Sequence, residues 1–172
     1  MLPQSFTERM QGLLGSEYEE FLASFEHEKY QALRLNPLKM DDMSVITEKV
    51  KQTFQLQQVP WAKNGYYYTK EDQPGKHPWH EAGLYYIQEP SAMAPVTLLS
   101  PQPGERILDL CAAPGGKSTQ IASAMEGEGL LVTNEIHPAR AKILSENVER
   151  MGIRNACVLN ETPEHLADIF EE

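Results

Sequence analysis

Apolar residues recur at helical spacing in three places in the first half of the chain. They do so between residues 6 and 14, between residues 21 and 25, and between Val45 and Phe54. Ser16 followed by Glu19 has the pattern of a capping box, which predicts that the second helix begins there. Pro60 prevents the third helix from continuing.

Between residues 59 and 80 the helical pattern gives way to aromatic residues separated by glycine and proline. Such a mixture predicts short strands joined by turns. The aromatic residues are Trp61, Tyr66, Tyr67, Tyr68 and Trp79. Residues 1–85 are therefore predicted to form a smaller, mainly helical α+β domain.

Residues 86–172 alternate between helix and strand patterns. An apolar helix at 92–99 precedes a predicted buried strand at 106–110, and Gly127 stops the next helix. The pattern then predicts a strand at 130–133 and a helix from Pro138 to Gly152 with Ile143 in its apolar stripe. It ends with a strand at 156–159 and a helix at 163–170. Alternation with short connections predicts an α/β fold whose parallel sheet has right-handed crossovers.

The charge of the chain limits the ways in which it binds nucleic acid. Its 15 basic and 25 acidic residues give a net charge of −10 at pH 7. Affinity for phosphate comes largely from lysine and arginine, so this balance excludes a protein that grips nucleic acid with its whole surface. Residues 34–80, with seven basic and five acidic groups, are the one mildly basic zone.

Cysteine content and hydropathy exclude further classes. Cys111 and Cys157 are too few for a disulfide framework or a metal cluster. No apolar run approaches the roughly 18 residues that a membrane-spanning helix needs, and the first ten residues lack a signal-peptide pattern. We therefore expect a cytoplasmic protein that holds no metal and is not bound to a membrane.

The connection from the first parallel strand to its helix is rich in small residues and predicts a ligand site. The first strand-to-helix turn of an open parallel sheet is where backbone amides and a helix N-terminus meet a ligand. Gly116, Lys117 and Ser118 match the end of a phosphate-binding P-loop, but its first glycine would fall at Cys111. The dinucleotide fingerprint is also absent, because Gly115 and Gly116 are adjacent. The turn therefore suits a ligand that presses against backbone without a pyrophosphate.

S-adenosylmethionine is such a ligand, because it carries a carboxylate and an ammonium group at one end and a ribose at the other. A protein that binds it also needs an acid at the end of the second strand to accept the ribose hydroxyls. Glu135 stands at that position. The alternative is that Glu135 is a solvated acid that complements the dipole of the next helix.

Three segments of the sequence resemble one family of enzymes. Residues 109–118 are similar to the cofactor-binding signature of the Nop/Sun family of RNA cytosine-5 methyltransferases, and residues 86–93 and 34–39 resemble two further signatures. The bacterial ribosomal RNA enzymes are the most similar branch. The resemblance implies a Rossmann-like S-adenosylmethionine-dependent methyltransferase sheet, of which the first three strands are present.

The resemblance also implies a set of cofactor-binding residues. The turn would line the methionine end and the ribose of the cofactor, and Glu135 would accept the ribose hydroxyls. Family members often carry an aspartate near the adenine after the third strand, but this chain reads Asn160, Glu161 and Thr162 there. The candidate set is Cys111, Ala112, Ala113, Pro114, Gly115, Gly116, Lys117, Glu135 and Thr162.

The resemblance places the catalytic cysteines outside this sequence. Methyl transfer to C5 of cytosine needs a thiolate that adds to C6, and the family carries its cysteines after the fourth and fifth strands. Those positions would lie beyond Glu172, so we expect the chain to be the front part of a longer protein, with an open apolar edge on its sheet. Cys111, in the turn, and Cys157, in the third strand, are expected to be structural.

The aromatic and basic segment is the candidate for RNA contact. Unpaired bases stack on aromatic side chains while lysine and arginine meet phosphates. The five aromatic residues named above lie among Lys63, Lys70 and Lys76, and the family signature adds Arg34 and Lys39 as candidate phosphate contacts. Alternatively, these aromatic side chains only fill the core of a small domain.

The expected partner is RNA, most simply ribosomal, although transfer RNA fits the sequence equally well. Three rival functions stay open: methylation of a protein or small molecule, a non-catalytic module that binds cofactor or RNA, and nucleotide hydrolysis by a degenerate P-loop. Nothing in the sequence indicates an oligomeric state.

Overall fold

The computed structural model describes residues 2–27, 29–39 and 43–170. Its helices are α1 (Gln4–Leu14), α2 (Tyr18–Ala23), α3 (Met43–Thr53), α4 (Pro78–Glu81), α5 (Pro90–Leu99), α6 (Gly116–Ala124), α7 (Pro138–Arg150) and α8 (Pro163–Ile169). Its strands are β1 (Gln31–Leu35), β2 (Gln57–Gln58), β3 (Gly65–Tyr68), β4 (Tyr85–Ile87), β5 (Arg106–Asp109), β6 (Leu130–Asn134) and β7 (Ala156–Leu159). Within these ranges, no helix has both the length and the apolar character needed to cross a membrane.

The first two predicted helices are present and pack through aromatic rings. The ring of Phe21 lies 6.2 Å from that of Phe6 and 5.2 Å from that of Phe25, measured between centroids. The predicted capping box is wrong, because α2 follows Glu17 without a side-chain cap. Ser16 instead lies inside a short 3-10 helix over Gly15–Glu17, which connects α1 directly to α2.

An antiparallel sheet forms the centre of the N-terminal region, with strand order β2-β3-β1-β4. The helical pattern at residues 45–54 is confirmed as α3. Val50 of α3 and Phe54, the residue after it, pack against Leu33 and Tyr85 of the sheet. Strands β1 and β4 were not predicted. In β1 four consecutive residues are buried, so the alternation that reveals a half-buried strand is missing. Strand β4 crosses the expected domain boundary at 85/86, because it pairs with β1.

The second half confirms the predicted α/β fold. Strands β5, β6 and β7 form a parallel sheet in that order, with Leu108 opposite Val132 and Val132 opposite Cys157. Helices α5 and α6 cover one face, where Val96, Ile121 and Leu131 form a core.

Two of the predicted buried positions in this half are wrong. Strand β5 is only half-buried, because Leu108 is 49% exposed on the face opposite Ile107. Ile143 is also exposed, because α7 turns Ala141, Leu144 and Val148 towards the protein instead.

One buried amide joins the two halves of the chain. The Nδ2 group of Asn36 donates to the carbonyl oxygens of Gly83 at 2.9 Å and Met151 at 2.8 Å, and its Oδ1 accepts from the amide of Leu38. Asn36 has no exposed surface. Its side chain therefore fixes the end of β1 against the end of α7.

Substitution Asn36→Ala should lower the free energy of unfolding by about 2 kcal/mol, because it leaves two buried carbonyl oxygens without a donor. Urea unfolding followed by circular dichroism measures the loss. The matched control is Asn155→Ala, which removes one hydrogen bond to the Glu128 carbonyl near the surface and should cost less than about 1 kcal/mol. Equal losses in the two variants would contradict the proposed role of Asn36.

Candidate functional site

The turn between β5 and α6 has the geometry of a helix N-terminus that is open to a ligand. Gly115 precedes α6 with φ 111°, in the left-handed region that favours glycine. A Cβ atom on Gly115 would also lie 3.2 Å from Cδ1 of Leu144. The amide groups of the first turn of α6 have no partner within the helix and carry its positive partial charge, so they favour an anionic or carboxylate ligand.

Hydrogen bonds within the parallel half hold both sides of this turn. The Ser118 hydroxyl donates to the carboxylate of Asp109 at 2.8 Å, which joins the first turn of α6 to the end of β5. The Ala112 amide donates to the Asn134 carbonyl, and the Gly115 amide to the Ala112 carbonyl, both at 2.8 Å.

Asparagine side chains connect the carboxyl ends of the three parallel strands. The buried Asn134 amide donates to the carbonyls of Leu110, after β5, and Glu161, after β7, and its Oδ1 accepts from the Glu161 amide. Asn160 donates to the carbonyls of Glu135 and Ile136. The sequence reasoning missed both residues. These bonds bring the turn between β5 and α6, Glu135 and residues 160–162 together at the carboxyl ends of the parallel strands.

Glu135 lies beside the turn and is 2% exposed. Its Oε1 accepts from the His137 amide at 3.1 Å, and its Oε2 pairs with Nη1 of Arg140 at 3.2 Å. Arg140 also donates from Nη2 to the Ala113 carbonyl at 2.8 Å, so it connects Glu135 to the turn. The alternative that Glu135 is a solvated acid is wrong, because the side chain is buried. Its carboxylate does accept a hydrogen bond from the backbone amide of His137, at the start of α7.

A cavity of about 250 Å³ opens against the turn. Residues 86–89 and Ala92 line one side, and the other side is lined by Asp109, Cys111, Ala112, Ala113, Pro114, Gly116 and Lys117. Six of the nine predicted cofactor residues therefore face one cavity.

The other three predicted residues lie outside this lining. Gly115 belongs to the turn but is buried. The carboxylate of Glu135 is connected to the turn through Arg140, which donates to the Ala113 carbonyl. Thr162 is exposed and directly precedes α8, where its hydroxyl accepts from the His165 amide at 3.2 Å. The structure therefore gives Thr162 the position of a helix cap.

The structure corrects the expectation that Arg34 contacts phosphate. Arg34 is 3% exposed, and burial lowers the pKa of its guanidinium to about 9. Its Nη1 donates to Gln88 Oε1 at 2.7 Å and to the Gly116 carbonyl at 2.9 Å, and its Nη2 donates to the Thr119 hydroxyl at 2.8 Å. Sequence reasoning missed this contact with the turn, although residues 34–39 and 86–93 carry the family resemblance. Lys39 is exposed, so its contact with phosphate stays a prediction.

The aromatic candidates for RNA contact are dispersed. Tyr66 is buried in the N-terminal core, and Trp79 packs against it, as the core-filling alternative expects. Trp61 donates from Nε1 to the Pro90 carbonyl at 2.9 Å. Tyr67 and Tyr68 line a surface groove with Tyr30, which sequence reasoning did not single out.

The two cysteines lie where the sequence predicts. Cys111 lies in the turn and lines the cavity, and Cys157 lies in β7. Both thiols are free and exposed.

Comparison with known proteins identifies the family. The family model for the N-terminal domain of 16S rRNA methyltransferase RsmF matches residues 2–90, and that for 16S rRNA methyltransferase RsmB/F matches residues 96–171. The ribosomal RNA small subunit methyltransferase F of Vibrio parahaemolyticus is 36% identical over 166 residues, covering 92% of this chain and 35% of that protein. The enzyme of the same name from Psychromonas ingrahamii is also 36% identical, covering 91% and 34%. The chain thus spans about a third of the length of these relatives.

Solved structures show the same fold. A methyltransferase homolog protein from Pyrococcus horikoshii is 30% identical with a TM-score of 0.83, covering 98% of this chain and 55% of that one. The structure of NSun6 from Pyrococcus horikoshii with SFG is 18% identical with a TM-score of 0.82, covering 96% and 67%, and shows the fold alone. The predicted resemblance to the bacterial ribosomal RNA branch of the Nop/Sun enzymes is confirmed: the chain belongs to the RsmB/F family of 16S rRNA methyltransferases and carries the RsmF type of N-terminal domain.

Proposed function

We propose that this chain is the cofactor-binding part of an S-adenosylmethionine-dependent enzyme that methylates C5 of a cytosine in small-subunit ribosomal RNA. The observation that carries the proposal is the cavity at the turn, where predicted residues from 111 to 117 meet the N-terminus of α6. The relatives are ribosomal RNA small subunit methyltransferases, which supports the RNA substrate. Such an enzyme works in the cytoplasm, where bacterial ribosomes are made.

The residues around the turn fit S-adenosylmethionine. The first amides of α6 suit the carboxylate of its methionine end. The buried Glu135 carboxylate still has acceptor capacity for ribose hydroxyls, because each of its oxygens has two acceptor positions and only one observed partner. The cavity is slightly smaller than the roughly 300 Å³ at which ligand pockets begin, so we propose that it takes one end of the ligand while the ribose extends towards Glu135.

The bound cofactor supplies the methyl group, and this chain binds and orients the donor. We assign the nucleophilic thiolate to neither cysteine of the chain, because Cys111 belongs to the turn and Cys157 to β7. The cysteines that the family resemblance places beyond Glu172 stay a prediction. A non-catalytic module would bind the cofactor in the same way, and a methyltransferase of another substrate class would differ only in the acceptor.

Substitution Glu135→Gln should weaken the binding of S-adenosylhomocysteine to the chain by about tenfold. The amide keeps the shape of the side chain but removes the charge and one acceptor oxygen, and such a loss costs about 1–3 kcal/mol. Isothermal titration calorimetry measures the effect. The control Glu48→Gln changes an exposed acid of α3 that pairs with Lys51 at 3.0 Å, away from the site, and should leave the affinity unchanged. An unaltered affinity in Glu135→Gln would refute the ribose role.

The complete gene product that contains this chain should transfer a labelled methyl group from S-adenosylmethionine to small-subunit ribosomal RNA. Nuclease digestion and chromatography should place the label in 5-methylcytidine. Label in transfer RNA, in protein or in a small molecule would replace the proposed acceptor. Cofactor binding without any transfer would favour the non-catalytic module.

A further inference from the structure

The N-terminal sheet supplies one wall of the cavity at the turn. Tyr86 belongs to β4, and Gln88 and Glu89 follow it directly. Strand β4 pairs with β1, so these residues are fixed to the antiparallel sheet and face the turn of the other sheet across the cavity. The candidate cofactor site is therefore formed by both halves of the chain.

Carbonyl groups of the turn receive hydrogen bonds from outside the turn. The Tyr86 hydroxyl donates to the Pro114 carbonyl at 3.2 Å, and the side-chain amide of Asn147 donates to the same oxygen at 2.8 Å. Arg34 donates to the Gly116 carbonyl at 2.9 Å. The carbonyls of Pro114 and Gly116 thus receive donors from β1, β4 and α7, while the α6 N-terminus stays available for a ligand.

Two guanidinium groups lie near the ring of Tyr86. The guanidinium carbon of Arg34 lies 5.8 Å from the ring centroid, and that of Arg150 lies 5.7 Å from it. Arg150 is anchored in turn by donation to the His80 carbonyl at 2.7 Å. Two cation–π contacts restrict the ring, and the hydroxyl is directed at Pro114.

Arg34 is an unusual residue for this interior position. It is fully desolvated, and within the described part of the chain no carboxylate pairs with it. A buried charge without a counter-charge is unfavourable unless hydrogen bonds compensate it. The side chain makes three hydrogen bonds, to Gln88, Gly116 and Thr119, which lie at the cavity or in the first turn of α6, while its buried Nε has no partner in the described part of the chain.

We propose that Tyr86 and Arg34 are positioning residues for the cofactor turn. Through them the N-terminal sheet holds the turn in the shape that receives S-adenosylmethionine. This inference rests on the proposed function, because it assigns a role to residues around the same site. It also implies that the N-terminal domain is required for cofactor binding, apart from any contact that it makes with RNA.

The test compares two identical substitutions at adjacent residues of β4. Tyr86→Phe removes the hydroxyl that bonds Pro114, whereas Tyr85→Phe removes a hydroxyl that bonds the Pro74 carbonyl at 2.8 Å, away from the cavity. Calorimetry with S-adenosylhomocysteine should show a loss of affinity of roughly three- to tenfold for Tyr86→Phe, the range expected for one hydrogen bond. Tyr85→Phe should lower the Tm and leave the affinity unchanged.

Hydrogen exchange separates positioning from general stability. In Tyr86→Phe the backbone amides of residues 115–119 should exchange faster than in the unsubstituted chain. In Tyr85→Phe their exchange rate should be unchanged. Arg34→Lys, which keeps the charge but loses the planar fork, should weaken cofactor binding and speed the same amides.

The outcomes distinguish this inference from the proposed function. If the unsubstituted, folded chain binds no S-adenosylhomocysteine, the proposed function fails and the inference fails with it. If it binds but Tyr86→Phe binds equally well, the inference alone is refuted. Parallel losses of affinity and Tm in both tyrosine variants would also refute it, because they would show a role in stability only.

Discussion

The turn between β5 and α6, the candidate cofactor site, leaves the first amide groups of α6 open while its carbonyl groups find partners inside the protein. Buried backbone polar groups need hydrogen-bond partners. A ligand that accepts hydrogen bonds from the amide groups does not donate to the carbonyl groups of the same turn. Here the carbonyls of Ala113, Pro114 and Gly116 receive donors from Arg140, Tyr86, Asn147 and Arg34. These four donors lie on three elements, β1, β4 and α7, which are arranged around the turn.

Donors from outside the parallel sheet hold the turn that follows β5. In the described part of the chain β5 pairs with β6, and Leu108 and Leu110 are 49% and 43% exposed. Tyr86 of β4, Arg34 of β1, and Arg140 and Asn147 of α7 donate to carbonyl groups of this turn. The antiparallel sheet and α7 therefore position the turn together with the parallel sheet.

Polar residues rather than apolar packing determine the details of the site. Asn134 and Asn160 join the strand ends, and Asn36 joins the two halves. Asn36 and Asn134 are buried and Asn160 is exposed, and all three supply hydrogen bonds to carbonyls that no regular strand pairing reaches. The apolar clusters stabilise each half, whereas the amides fix where the strand ends, the turn and the helix termini lie relative to one another.

Local sequence determined the parallel half and the turn. The alternation of strands and helices, Pro138 at the start of α7 and glycine at 115 follow from neighbouring residues, because backbone preferences act over a few positions. Local sequence could not reveal β1, whose burial on both faces removes the alternation, or the interior position of Arg34. Arg34 and Thr119 are 85 positions apart, so only the packing of the two sheets brings them together. Tertiary structure therefore decided which residues support the site, because hydrogen bonds between distant segments leave no periodic signal in the chain.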